Sequence, residues 1–170
     1  MNKIFIKDNL KLREKINETD IGIDIIASSA PRIVGKKDAN GYWKSIDFIE
    51  YETHIFLDCL QKNSEEQLYI DVRPRSSICN YNLILANSVG LIDPEYRDQI
   101  LVRFKYVTQP EDLRPNLNYF FTEVNLNKIY NQGDKIAQLV IQKSVNHEFI
   151  YVPELNDSKR GMGKFGSTGV

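Results

Sequence analysis

Hydrophobic and polar residues alternate with a period of two along much of the chain. The runs are Lys3 to Ile6, Ile21 to Ala27, His54 to Cys59, Gln67 to Val72, Asn82 to Ala86, Gln99 to Val107, Lys135 to Ile141 and Glu148 to Val152. This is the pattern of half-buried strands. In Ile100-Leu101-Val102-Arg103-Phe104-Lys105-Tyr106 the even positions are apolar, and Arg103 and Lys105 point the other way. Turn formers separate the runs: Ala39-Asn40-Gly41, Gln61 to Ser64, Asp93-Pro94 and Asn131 to Asp134. Short strands punctuated in this way predict an all-β fold, a sandwich, jelly roll or barrel. Leu10 to Asn17 and Pro94 to Arg97 are each long enough for only a turn or two of helix. Ser28 to Phe48 and Gln109 to Asn118 read as extra loops. From Asn156 to Val170 alternation ceases, and this stretch reads as a flexible glycine-rich tail after a domain spanning 1–155.

Composition narrows the function classes. The 170 residues suit one domain. With 22 Lys and Arg against 23 Asp and Glu, no bulk charge favours nucleic acid or an anionic membrane, so any polyphosphate site must be built locally. The N-terminal run lacks an unbroken apolar stretch, and no segment nears a membrane span of ~20 apolar residues. The expectation is a soluble, intracellular or cytoplasmic protein. Cys59 and Cys79 lie in apolar runs without metal or redox spacing and read as buried free thiols, and His54 and His147 as structural or surface residues.

Four segments carry candidate chemistry. Arg160 to Gly169 sets four glycines around Phe165, two cations, Ser167 and Thr168; it reads either as a disordered terminus or as a chain able to wrap a polyphosphate. In Pro74-Arg75-Ser76-Ser77 a strand ends in a guanidinium beside two hydroxyls, which is either a solvated turn or a phosphate loop. Asn87 to Arg97 carries Asp93 at a turn, with Tyr96 three residues on. Asp93 could deprotonate a water, or simply bond nearby backbone. Gly133 to Val140 is a turn into a buried strand in which Gln138 needs a polar partner.

In order, these segments resemble the five motifs of the trimeric dUTP pyrophosphatase family. The first is Gly22-Ile23-Asp24-Ile25, the second Pro74 to Ser77, the third Gly90 to Asp93 with Tyr96-Arg97, the fourth Gly133 to Leu139, the fifth Arg160 to Gly169. The resemblance implies a jelly-roll-like β barrel, a homotrimer with shared active sites, and hydrolysis of dUTP to dUMP and pyrophosphate. By the same resemblance Arg75, Ser76 and Ser77 line the phosphates, Gln138 reaches the α-phosphate, and Arg160, Gly166, Ser167 and Thr168 close on the γ-phosphate. Asp93 activates the attacking water, Tyr96 packs on the deoxyribose, Asn87 and Gly90 read uracil, and Phe165 stacks on it. Asp24 acts through water on Mg²⁺, the implied cofactor. The chain departs from the family at Ser77, Asp98 and Lys164, which stand where glycine is usual. Two rivals stand beside this reading. A dCTP deaminase shares the fold, but its strand glutamate has no counterpart in Ile100 to Phe104. A dUTP-sensing binding module would use Tyr42, Trp43, Leu113 and Tyr119 as anchors.

Overall fold

In the computed structural model, residues 4–8, 19–61, 66–116, 119–145, 147–158 and 161 are described. Twelve strands form among them: β1 (Phe5–Asp8), β2 (Gly22–Ile26), β3 (Arg32–Lys37), β4 (Trp43–Glu52), β5 (Ile55–Asp58), β6 (Gln67–Pro74), β7 (Leu83–Leu85), β8 (Gly90–Ile92), β9 (Leu101–Tyr106), β10 (Leu113–Asn116), β11 (Tyr119–Thr122) and β12 (Lys135–Ser144). All paired strands run antiparallel. One wall is β2-β12-β6-β8; the other is β10-β11-β4-β9-β7 with β3 added to β4, and β1 pairs β5. The all-β, jelly-roll-like expectation holds.

Alternation explains the core. Ile25, Ile70, Val72 and Leu139 from the first wall and Ile49, Tyr51, Val102 and Phe104 from the second belong to one cluster, each at most 5% exposed. Burying side chains of this size stabilises by about 1.5–3 kcal/mol each. Arg103 and Lys105 face outward, as the pattern requires. There Arg103 Nε lies 2.7 Å from Glu50, which also pairs with Arg32. Burial raises the Glu50 pKa, but the two guanidinium partners outweigh it and hold the carboxyl below its ordinary value.

Several expectations are corrected. Ser28 to Phe48 is not a loop: β3 and most of β4 form a hairpin there, with register shifts at Val34/Gly35 and Lys36/Lys37. Gln109 to Asn118 contains β10, paired to β11. Glu148 to Val152 forms no strand; Phe149, Ile150, Tyr151 and Val152 are all exposed. Pro94 to Arg97 is a turn, and the 3₁₀ turns among the described residues are Ser76–Asn80, Pro110–Asp112 and Leu126–Lys128. Cys59 is buried, whereas Cys79 is exposed because its segment coils into the first of these turns instead of pairing. Leu10 to Asn17 lies outside the described residues. Among the described residues no helix is long and apolar enough to cross a membrane.

Candidate active site

Three of the motif segments converge through sheet register. β12 lies between β2 and β6, and Gln138 is opposite both Asp24 and Arg73. Gln138 Nε2 donates to Asp24 Oδ1 at 3.2 Å, Lys135 Nζ lies 2.7 Å from Asp24 Oδ2, and Arg75 forms an ion pair with Oδ1. Gly22 makes room for this: a Cβ there would lie 3.0 Å from the Gln138 side chain. Burial pushes the Asp24 carboxyl up, but hydrogen bonds from Lys135, Arg75 and Gln138 and the charge of Arg75 hold it below the usual carboxylate value. One carboxylate facing two cations leaves this edge net positive and rich in donors, suited to an anion. Lys135 was not singled out by the sequence, where it reads only as the polar start of a strand. Its place directly after the Gly133-Asp134 turn is the signal that could have found it.

Arg75 precedes the 3₁₀ turn that carries Ser76 and Ser77. Among the described residues, the non-glycine residues with positive φ are His54 and Ser88. Ser77 and Asp98, which replace the family's usual glycines, therefore sit in ordinary backbone.

A second cluster forms around the β7–β8 turn. A Cβ on Gly90 would meet Asn87 Nδ2 at 3.0 Å and Val72 Cβ at 3.2 Å, so the Asn87 side chain lies over Gly90. Asn87, Gly90 and Tyr96 line a cavity of about 470 Å³ together with Phe48, Arg103 and Lys105. Arg97 fastens the following loop: it donates to the Pro94 carbonyl at 2.7 Å and the Tyr96 carbonyl at 3.1 Å, and pairs with Asp58 at 2.7 Å. The Tyr96 hydroxyl donates to the Gln99 carbonyl at 3.0 Å. Asp93 is exposed on this loop, and its carbonyl accepts the Tyr96 N–H at 3.1 Å.

The carboxylates Asp24 and Asp93, one in each cluster, are far apart in one chain. Asp24 is on β2 in the register of Arg73, whereas Asp93 follows Ile92, which pairs with Ile70. Three strand spacings across and four residues along put them on the order of 20 Å apart. Among the described residues, no hydrogen bond or ion pair joins them. Arg160, Phe165, Gly166, Ser167 and Thr168 lie outside the described residues.

For a divalent cation, the donors present matter. Both Asp24 oxygens are occupied by cationic or amide donors. No group of three or more His, Cys, Asp or Glu gathers among the described residues. This set fits a metal that keeps its waters better than one caged by protein.

The chain is similar to several known proteins. A deoxyuridine 5′-triphosphate nucleotidohydrolase of Helicobacter pylori (strain Shi470) is 35% identical over 102 residues, 59% of either chain. One from Thermobifida fusca is 38% identical over 99 residues, 58% of this chain and 47% of that protein. The matches thus span about half to three fifths of those relatives' length. Among solved structures, the dUTPase of Staphylococcus bacteriophage 80alpha with dUPNHPP is similar over 100% of both chains at 20% identity, with a TM-score of 0.68. That of phage phi11 of S. aureus, at 17% identity and a TM-score of 0.59, covers 92% of this chain and 100% of its own. At such identities the structural likeness speaks for the fold. The dUTPase family profile matches residues 51–169, well over half of the sequence, and the chain belongs to that family.

Proposed function

We propose that the protein is a dUTP diphosphatase that hydrolyses dUTP to dUMP and pyrophosphate in a homotrimer whose sites are shared between subunits. The observation that carries this reading is the separation of the two clusters. The phosphate-binding edge (Asp24, Arg75, Ser76, Ser77, Gln138) and the nucleoside cavity with its adjoining acid (Asn87, Gly90, Tyr96, Asp93) form separate clusters in one chain, with the acid Asp93 on the order of 20 Å from Asp24. Each supplies what the other lacks, so a second copy completes the site.

In this reading water attacks the α-phosphorus in line with the leaving pyrophosphate. A P–O bond to water forms, the α–β bridging bond breaks, and Asp93 takes the water proton. Arg75, Ser76 and Ser77 bind the α- and β-phosphates and Gln138 the α-phosphate region, so rate comes from positioning and charge stabilisation. Magnesium, when bound with the nucleotide, neutralises charge on the non-bridging oxygens. Asn87 and Gly90 face the uracil edge and Tyr96 the deoxyribose. The tail, 156–170, closes over the γ-phosphate through Arg160, Gly166, Ser167 and Thr168, with Phe165 on the base. Hydrolysis is favoured over deamination because the polar side chains that β9 sends to the cavity are Arg103 and Lys105, neither of them an acid able to shuttle protons at a pyrimidine ring.

The test has two parts. Product analysis with dUTP, dCTP, dTTP and UTP in Mg²⁺ should give pyrophosphate from dUTP; ammonia from dCTP would select the deaminase instead. Co-assembly of Asp93→Asn with Arg75→Ala chains should restore activity that neither variant has alone, because mixed trimers contain intact composite sites. No recovery in verified mixed trimers would refute sharing.

A further inference from the structure

A bulge at the start of β12 decides where one lysine points. Along β12, Ala137 and Leu139 face the core at 0% and 2% exposed, and Gln138, on the opposite face, meets Asp24. Unbroken alternation would turn Lys135 inward with Ala137. Instead the register shifts: Lys135 is opposite Ile26 and Ala137 opposite Ile25, so Ile136 is an extra residue. Ile136 takes the core position at 0% exposed, and Lys135 emerges on the face of Gln138 and Asp24. An extra residue of this kind re-aims a side chain and gives up regular pairing to do so. Here it delivers an ammonium to 2.7 Å from Asp24 Oδ2.

Asp24 is satisfied without that ammonium. Its Oδ1 accepts from Gln138 Nε2 and pairs with Arg75, so one guanidinium already balances its charge. Arg73, another cation of this wall, is matched by Asp71 at 2.7 Å, whereas around Asp24 two cations share one carboxylate. The two differ in freedom. The Arg75 side chain is 24% exposed; that of Lys135 is 46% exposed and sits on a flexible four-carbon stem. An ammonium only donates, and a phosphate oxygen accepts as a carboxylate oxygen does. A triphosphate carries several negative charges against the single one of Asp24, so it competes well for the lysine. If Lys135 swings away, Asp24 keeps Arg75 and Gln138 and is not left unpaired.

We propose that Lys135 is a further nucleotide-binding residue: when the nucleotide binds, the Lys135 ammonium exchanges Asp24 Oδ2 for a phosphate oxygen. This inference rests on the reading that Arg75, Ser76, Ser77 and Gln138 hold the phosphates. Asp24 is then the resting partner that keeps the lysine at the edge until the nucleotide arrives.

The experiment compares Lys135→Gln, Asp24→Asn, the double variant and Arg75→Ala in the full chain. It measures Tm and the affinity of a non-hydrolysable imido analogue of dUTP in EDTA, where no metal complicates the role of Asp24. Lys135→Gln should weaken binding about tenfold, the size of one charge-assisted hydrogen bond, at a nearly parental Tm because the pair it leaves is partly exposed. Asp24→Asn should act in the opposite sense and tighten binding about threefold, because it releases the lysine and removes a like charge. Most of that gain should vanish in the double variant, where no lysine is left to release. A lysine that merely steadied Asp24 would instead make both single variants weaken binding. That result, an equal gain from Asp24→Asn with and without Lys135, or binding within twofold of the parent in Lys135→Gln would each overturn the inference. Loss of binding in Arg75→Ala would then leave the phosphate reading intact, and unchanged binding there would overturn both. Should Asp24→Asn fail to fold, Lys135→Gln decides: tenfold weaker binding at an intact Tm supports the role, and parental binding overturns it.

Discussion

Gln138 Nε2 lies 3.2 Å from Asp24 Oδ1, and the two residues are direct register partners across β2 and β12. One amide thereby ties the first motif to the fourth. Lys135 and Arg75 close on the same carboxylate. Asp24 therefore acts as a hub that holds two cations in place, and its ionisation state governs how firmly.

The pH dependence of stability follows from this hub. The folded Asp24 pKa is lowered from 3.8, so its contribution is fully present above the ordinary carboxylate value and is lost as pH falls through the lowered one. Asp24→Asn, which cannot ionise, should lower Tm at neutral pH, with the deficit relative to the parent shrinking as the solution is taken below about pH 4. Glu50, lowered from 4.5, destabilises parent and variant alike on acidification, so only the difference between them reports on Asp24. Thermal unfolding from pH 7 to pH 3 measures it; a deficit that stays constant across that range would remove Asp24 as the acid-sensitive group.

Gly90 offers a sharper probe of the nucleoside cavity. A methyl group there would press on Asn87 Nδ2 at 3.0 Å and on Val72 Cβ at 3.2 Å. Asn87 can swing away, because it is exposed at a turn; Val72, 5% exposed, cannot. Gly90→Ala should therefore displace the Asn87 amide and raise KM for dUTP about tenfold, the cost of misplacing a hydrogen bond to a base edge. Stability should fall by only about 1 kcal/mol. Steady-state kinetics with thermal unfolding separates the two effects, and an unchanged KM would show that Asn87 does not read the base.

Strands with one wet face were legible from the sequence. The run read as Gln99 to Val107 is β9 over Leu101–Tyr106, and Lys135 to Ile141 begins β12 over Lys135–Ser144. The hairpin of β3 and β4 escaped because much of it extends beyond the core: Lys36, Lys37, Lys44 and Ser45 are all exposed. β10 escaped because Pro115 argues against a strand, yet β10 is an edge strand, where proline removes no ladder bond. Glu148 to Val152 failed in the opposite sense, since alternation alone cannot supply a partner strand. At the site, Asp24, Arg75 and Gln138 were found as separate motifs. Their convergence depends on register, as does the distance from Asp93, and register between distant strands is not written in any local window.

The hairpin also supplies a test of the fold. Gly35 sits at one register shift of β3 against β4, and a Cβ there would lie 2.1 Å from the Ser45 carbonyl oxygen and 2.9 Å from Ile46 Cα. Both obstacles are backbone, so no rotamer change relieves them, and β4 is held on its other side by pairing of Ile49 to Glu52 with β9. Gly35→Ala must therefore open the bulge or shift β3, at a cost of about 3 kcal/mol. The phosphate edge is on the other sheet, built from β2, β12 and β6, so kcat for dUTP below the new Tm should stay within about twofold of the parent, a change well under 1 kcal/mol, while any shift of Phe48, which lines the nucleoside cavity, is confined to KM. Denaturant unfolding together with kinetics at low temperature distinguishes the outcomes. Parental stability would mean that β3 pairs with β4 in a different register from the one described.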